Sequence, residues 1–176
     1  MVIKFIFCKI LGWSINGKNN FTDKCIIIVA PHTHWLDFFL GITVRHILKI
    51  RIHFIGKKEL FFFPLNFFLR YMGGIPVTRN SNTNTVESVA QIFRKKKKFR
   101  LALSPEGTRK KVVKWKTGFY YIAKKASVPI ISVSLNIPKK QVNISKPFYP
   151  TSNIEKDTKS IKKNFEGAIG IIAKFS

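Results

Sequence analysis

The run CIIIVA at residues 25–30 constrains the fold more than any other stretch. It is short, continuous and β-branched, the signature of a strand buried on both faces. It ends at Pro31, and chemistry-bearing side chains follow at once in PHTHWLD. The rest of the chain alternates around it. A helix is expected over FFLGITVRHIL, a strand over IRIHFIG ending at Gly56, and a helix over KELFFFPLNFFLRYM interrupted at Pro64. GIPVTR reads as a brief strand after a Gly73-Gly74 turn. NTVESVAQIFRKKKKF reads as an amphipathic helix striped by Val86, Val89, Ile92 and Phe93. RLALSP is a strand leading into the loop EGTRKKVVKWKTG. The helix FYYIAKKA, the strand VPIISVSL, a further strand VNISKPF and a closing helix over NIEKDTKSIKKNFEGAIGII complete the order. Alternation of this kind predicts an α/β fold, a single domain over residues 1–176 with a mostly parallel central sheet flanked by helices.

Composition narrows the partners. The chain carries 32 Lys+Arg against 8 Asp+Glu, a formal charge of +24. Such a field attracts polyanions: nucleic acid, an anionic membrane surface, or phosphorylated and CoA-like substrates. Drift of surface positions to Lys in a biased genome explains part of the excess equally well, so charge alone selects no partner. Cys8 and Cys25 lie in or beside apolar runs without a CxxC or Cys/His cluster, and read as buried thiols in a reducing, cytoplasmic compartment. No segment reaches the roughly 20 uninterrupted apolar residues of a spanning helix. The opening MVIKFIFCKILGWSI is broken by Lys4 and Lys9, and no small-residue cleavage site follows it. In helical projection Ile3, Ile6, Phe7, Ile10 and Leu11 share a face. Residues 1–20 therefore suit an interfacial helix or a helix packed on the core.

His32 and Asp37 are the first candidate catalytic pair. Imidazole is the usual base when a hydroxyl must lose a proton near neutral pH, and a carboxylate fixes its tautomer. Five positions along a helix are about 500° of rotation, so the two cannot stack on one helix. His32 is expected in the turn after the strand and Asp37 in the first helical turn, where an acid also suits the helix dipole. The competing reading has Asp37 capping the helix while His32 bonds to backbone. A metal site on His32 and His34 is a third reading, for which His46 and His53 offer no neighbouring acids.

Downstream, Arg79 ends the strand in YMGGIPVTRN, and Glu106, Gly107, Thr108 and Arg109 follow another strand in SPEGTRKK. Glycine lets backbone approach a ligand, threonine offers a hydroxyl, and arginine a fork for phosphate. Lys57, after the Gly56 turn, adds a cation. In a parallel sheet these strand ends lie on one side, so a base aimed at a hydroxyl would stand beside phosphate-binding cations.

Taken in order, HTHWLD, GGIPVTR, SPEGTR and VPIISV resemble the motif blocks of the glycerolipid acyltransferase family, which includes lysophosphatidic acid acyltransferases. The first carries the family's His-x4-Asp pattern, and the motif core spans residues 25–136. The resemblance implies that His32 deprotonates the hydroxyl of a lysophospholipid, most simply 1-acylglycerol-3-phosphate, which attacks the thioester of acyl-CoA or acyl carrier protein to give phosphatidic acid. It implies that Asp37 orients His32 and that Arg79, Arg109 and Lys57 hold the phosphate. Glu106, Gly107, Thr108, Gly74 and Pro76 would shape the substrate site. Val128, Pro129 and Ile130 would place the acyl chain or build the core beside it. It implies no metal and no cofactor beyond the acyl donor. The chain departs from the common pattern at Pro31, His34, Ser104 and Ser132. None of these is a reacting group, but they leave open another lipid alcohol as acceptor.

Lipidic substrates imply work at a bilayer. A peripheral protein on the cytoplasmic face would bind through residues 1–20, the phenylalanine-rich LFFFPLNFF and basic residues such as RKKKKFR, each cation adding about 1 kcal/mol near anionic lipid. LFFFPLNFF has ordinary core, or an acyl-chain groove, as its alternatives. A basic nucleic-acid-binding module would also account for the charge. It leaves the ordered recurrence of His32, Asp37, Arg79, Glu106 and Arg109 unexplained, so no nucleic-acid partner is expected.

Overall fold

The computed structural model describes residues 2–77 and 82–176. Its strands are β1 (Ser14–Asn16), β2 (Lys24–Ala30), β3 (His53–Lys57), β4 (Gly74–Val77), β5 (Phe99–Leu103), β6 (Ile130–Asn136) and β7 (Gln141–Ile144). They form a sheet of order β1-β7-β6-β2-β5-β3-β4. The central strands β6, β2, β5, β3 and β4 are mutually parallel, while β7 runs antiparallel to β6 and β1 follows β7. The mostly parallel α/β sheet expected from the sequence is thus present, with a reversed pair at one edge.

β2 lies at the middle because of its composition. Cys25, Ile26, Ile27 and Ile28 are each at most 1% exposed, and full burial of an isoleucine side chain stabilises by about 1.5–3 kcal/mol. Alternate residues feed two cores. On one face Ile26, Ile28, Leu101 and Ile130 pack under α4 (Asn82–Lys95), α5 (Gly118–Ala126) and α6 (Ile154–Lys162). On the other, Ile27, Ile131, Val133 and Val142 meet Phe7 and Val44. Phe7 comes from the N-terminal helical segment, in which α1 (Val2–Phe5) passes into a π-type turn at Ile6–Ile10, and Val44 from α2 (Leu36–Ile47). The short α3 (Leu65–Tyr71) packs on β4.

Three elements differ from the sequence reading. The N-terminal helix stops at Ile10, because Gly12 at φ +72° turns the chain and residues 14–16 become an edge strand. Of its expected apolar face only Phe7 is buried; Ile3, Ile6, Ile10 and Leu11 are exposed. The helix expected over KELFFFPLNFFLRYM is reduced to a 3-10 turn at Lys58–Leu60 and α3 after Pro64. Phe63 is 81% and Phe67 68% exposed, so of the alternatives for LFFFPLNFF ordinary core falls away. The closing helix ends at Lys162, passes through a 3-10 turn at Lys163–Phe165, and leaves its axis at Gly167, φ +73°.

α6 is anchored by a buried carboxylate with no sequence signature. Asp157 accepts from the Tyr120 hydroxyl (2.9 Å), the Thr151 amide (2.6 Å) and the Thr151 hydroxyl (3.0 Å). Replacing it by alanine removes the charged acceptor. The Tyr120 hydroxyl keeps the Thr151 carbonyl at 2.9 Å and Thr151 is exposed, so the cost is about 1.5–3 kcal/mol. Urea unfolding of Asp157→Ala should therefore show a clearly lower midpoint at unchanged slope.

Candidate active site

The C-terminal ends of the parallel strands carry the candidate residues, and the sheet order brings two of their loops together. β2 and β5 are neighbours, with Ile28 opposite Leu103. The turn 31–35 therefore stands beside the loop 104–109. His32 Nδ1 lies 3.3 Å from Asp37 Oδ2. The same oxygen accepts from the backbone amides of Thr33 and His34, both at 2.8 Å. Asp37 thus ties down the turn before α2 and faces the imidazole, while no side chain caps the first turn of the helix itself. From the neighbouring strand end, Glu106 Oε2 accepts from the His32 amide at 2.8 Å. The histidine is thus fixed through its ring by one carboxylate and through its backbone by another.

Electrostatics separates the two acids. Burial pushes the Asp37 carboxyl up, but the bonds from the His32 ring and the His34 and Thr33 amides outweigh it and hold the pKa below the ordinary carboxylate value. Glu106 goes the other way. Its burial, helped by the nearby Asp37 charge, outweighs the His32 amide and raises the pKa. Asp37 stays ionised, as a partner for an imidazolium must.

The back of this turn is covered from far along the chain. Thr33 is 2% exposed, and its hydroxyl oxygen accepts from the Ile172 amide at 3.0 Å. Gly170 crosses so near that a Cβ there would sit 2.5 Å from Thr33 Oγ1. Neither residue has a role legible in the sequence: Thr33 is one of the unspecified positions inside HTHWLD, and Gly170 lies outside every motif block. His34 is otherwise engaged, with Nδ1 accepting from the Leu36 amide at 3.3 Å. Among the described residues no cluster of three His, Cys, Asp or Glu side chains is placed to hold a metal.

A cavity of about 690 Å³ opens at His32, Trp35, Gly107 and Arg109 and runs between α2 and the sheet. Ile27, Val29, Ala102 and Val133 are among its lining, which is mainly apolar but also includes Arg45, His53 and Ser104. At the far end the Arg45 guanidinium donates to the carbonyls of Ile52 and Met72, 3.0 and 2.6 Å away. Ser104 stands in the wall with a hydroxyl that is buried and unpartnered.

The remaining candidates divide. Arg109 is at the mouth and exposed, with Thr108 beside it. Gly107 adopts φ +65°, and the Lys116 stem lies where its Cβ would be. Arg79 lies outside the described residues. Lys57 ends β3 on the site's side of the sheet, but its side chain also lies outside the description. Gly74 does not shape the site. It begins β4 at the opposite end of the strand, where a Cβ would meet the Leu69 carbonyl at 2.7 Å, so its role is packing of α3. Pro76 pairs with Gly56 within the sheet edge. Val128, Pro129 and Ile130 are buried at the start of β6, away from the cavity, with Val128 and Ile130 in the α4–α5 core. Of the roles expected for that block, the structure gives it the core.

Because folding lowers the Asp37 pKa, its ionised form adds stability above the ordinary carboxylate range. That stability is lost as pH falls through the lowered value. Asp37→Asn keeps the shape and removes the titration. Wild type should therefore lose more stability than Asp37→Asn between neutral pH and the acid limb, measured by urea unfolding across pH.

Comparison with known proteins places this geometry. The family model described as Acyltransferase matches residues 13–136. The 1-acyl-sn-glycerol-3-phosphate acyltransferase of Escherichia coli (strain K12) is 28% identical over 126 residues, covering 68% of this chain and 50% of that protein. The 1-acyl-sn-glycerol-3-phosphate acyltransferase beta of Homo sapiens is 25% identical over 134 residues, covering 73% and 47%. The chain thus spans about half the length of these curated relatives. The crystal structure of the 1-acyl-sn-glycerophosphate (LPA) acyltransferase from Thermotoga maritima superimposes with a TM-score of 0.62 at 25% identity, covering 93% of this chain and 73% of that one. On the match over residues 13–136, which includes both His32 and the Glu106 loop, the chain belongs to the glycerolipid acyltransferase family.

Proposed function

We propose that the chain transfers a fatty acyl group from a thioester to the free hydroxyl of a lysophospholipid, 1-acylglycerol-3-phosphate above all. The observation that carries this is the His32–Asp37 pair at the mouth of an apolar cavity, with Arg109 beside it. Nδ1 of His32 faces Asp37, which leaves Nε2 to take the proton from the acceptor hydroxyl. The oxygen attacks the thioester carbonyl, the tetrahedral adduct collapses, and the departing thiolate takes the proton back from the imidazolium. Asp37 holds the required tautomer and offsets the transient positive charge. Arg109, with Arg79 and Lys57, binds the acceptor's phosphate through charge-assisted hydrogen bonds. The cavity under α2 takes an acyl chain, and its far end closes at Arg45. The relatives' names support this acceptor; the donor in this proposal is acyl-CoA or acyl carrier protein. No cofactor or metal enters the scheme.

His32→Ala should lower transfer in mixed micelles by about 10²–10⁴-fold with folding unchanged. Arg109→Ala should raise KM for the phosphorylated acceptor and spare an unphosphorylated lysolipid. An inactive wild type with every donor–acceptor pair would sink the reading. Preference for an unphosphorylated acceptor would keep the chemistry and reassign Arg109.

We further propose peripheral binding to the cytoplasmic face of a membrane. No helix among the described residues is long and apolar enough to cross one. Exposed apolar side chains instead gather on segments that flank the strand C-terminal ends: Ile10 and Leu11, Trp35 and Phe39, Leu60, Phe62 and Phe63. Apolar residues at that end can enter the lipid interface while the cavity mouth faces it. The basic run at residues 94–100 sits at the other end of the sheet, where Asp23 pairs with Lys98 and Arg100, so it is poorly placed to assist. Phe62→Ser/Phe63→Ser should weaken flotation with anionic vesicles several-fold, and flotation equal to wild type would refute this orientation.

A further inference from the structure

Opposite the catalytic cavity, the loop before α5, α5 itself and α6 border an open groove of about 1500 Å³. Lys114, Lys124, Lys125, Lys159, Lys162 and Lys163 stand along it, all exposed, with only Glu155 and Glu166 as acids. Lys125 is paired with Glu87, and Lys162 lies over the Trp115 ring at 5.3 Å. Lys114, Lys124, Lys159 and Lys163 have no ion-pair partner among the described residues. Like charges gathered from three segments raise the local potential and draw anions to the groove.

The groove borders the active site. Lys116 lines it and also lies across Gly107, which lines the catalytic cavity. The Lys116 amide donates to the Pro105 carbonyl at 2.8 Å, fixing that boundary. A thioester carried on an extended arm could therefore be anchored in the groove while its carbonyl reaches His32.

We propose that this groove docks an acidic carrier protein bearing the acyl thioester, an inference that rests on the acyltransferase reading. Three observations favour a protein surface over a nucleotide. The cations are all lysines, solvated point charges suited to long-range attraction, and not arginine forks that clasp a diphosphate. The groove is broad and open, with charges on separate elements. Trp115 is not free to stack a base: its ring meets Phe119 and Phe165 edge-on and is capped by Lys162.

The test compares wild type with Lys124→Glu/Lys159→Glu/Lys163→Glu, and with the corresponding triple glutamine variant as a milder change. Binding is measured to an acidic acyl carrier protein carrying a non-transferable acyl-amide analogue, and transfer kinetics with acyl-carrier protein and acyl-CoA. The expected result is binding weakened at least tenfold in the glutamate variant and about threefold in the glutamine variant. KM for acyl-carrier protein rises in parallel, kcat holds, acyl-CoA kinetics stay within twofold, and the salt dependence of binding flattens. Unchanged carrier binding overturns the proposal, as does an equal loss with acyl-CoA or a wild type that binds no carrier. Lysine-dependent competition by 3′-phosphoadenosine diphosphate reassigns the groove to a nucleotide and also overturns it. If wild type binds the carrier through these lysines yet transfers from neither donor, the docking surface stands and the acyltransferase reading falls.

Discussion

The Asp37 carboxylate is the interaction on which the site depends. One oxygen receives two backbone amides and one imidazole nitrogen. Bonds to a charged acceptor are each stronger than neutral ones, about 1.5–3 kcal/mol. They are needed because the turn leaves a fully buried strand and must expose a histidine within two residues. Glu106 adds a restraint from the adjacent strand, and Thr33 one from the C-terminal segment. The imidazole is therefore held by its carboxylate in a turn that is itself held from three sides. Preorganisation of this kind lets a base act without paying for its own alignment at each turnover.

The two faces of the sheet are packed unequally, and the inequality has a use. α4, α5 and α6 cover one face with large side chains such as Phe93, Tyr120 and Ile161, each at most 2% exposed. α2 and the short N-terminal segment cover the other and leave the cavity beneath α2. Empty apolar volume costs stability, since its lining loses contacts that a filled core would supply. The well-packed face supplies the stability and the loose face the room. The same division places the lysine groove on the rigid side, where its charges stand on well-anchored helices.

Much of this was legible in the sequence, for identifiable reasons. The strands around Ile27 and Ile131 announce themselves by continuous β-branched character, and α4 by its stripe at Val86, Val89 and Phe93. His32, Asp37 and the Glu106–Arg109 loop follow strand ends within a few residues, so local pattern and family order both find them. What stayed hidden depends on residues brought together from far apart. Thr33 meets Gly170 and Ile172, and Tyr120 meets Asp157, and no local period encodes either meeting. Gly74 misled because a glycine needed for packing α3 looks the same in sequence as one needed for a ligand. The N-terminal helix misled at Gly12, where a single left-handed residue outweighed an apolar periodicity.

The formal charge of +24 looks different once it is placed. The run at residues 94–100 is its densest portion in sequence, yet it caps the end of the sheet remote from His32 and is partly neutralised by Asp23. By contrast, the lysines of α5 and α6 are scattered in sequence and converge only in space, beside the loop that borders the site. Drift toward lysine predicts cations wherever solvent permits them, which describes the first group. It does not account for a groove with two acids along it whose Lys116 lies against Gly107 of the catalytic cavity. Position relative to the reacting thioester, and not local density, is what gives a basic patch a function. By that criterion the scattered lysines matter more than the conspicuous run.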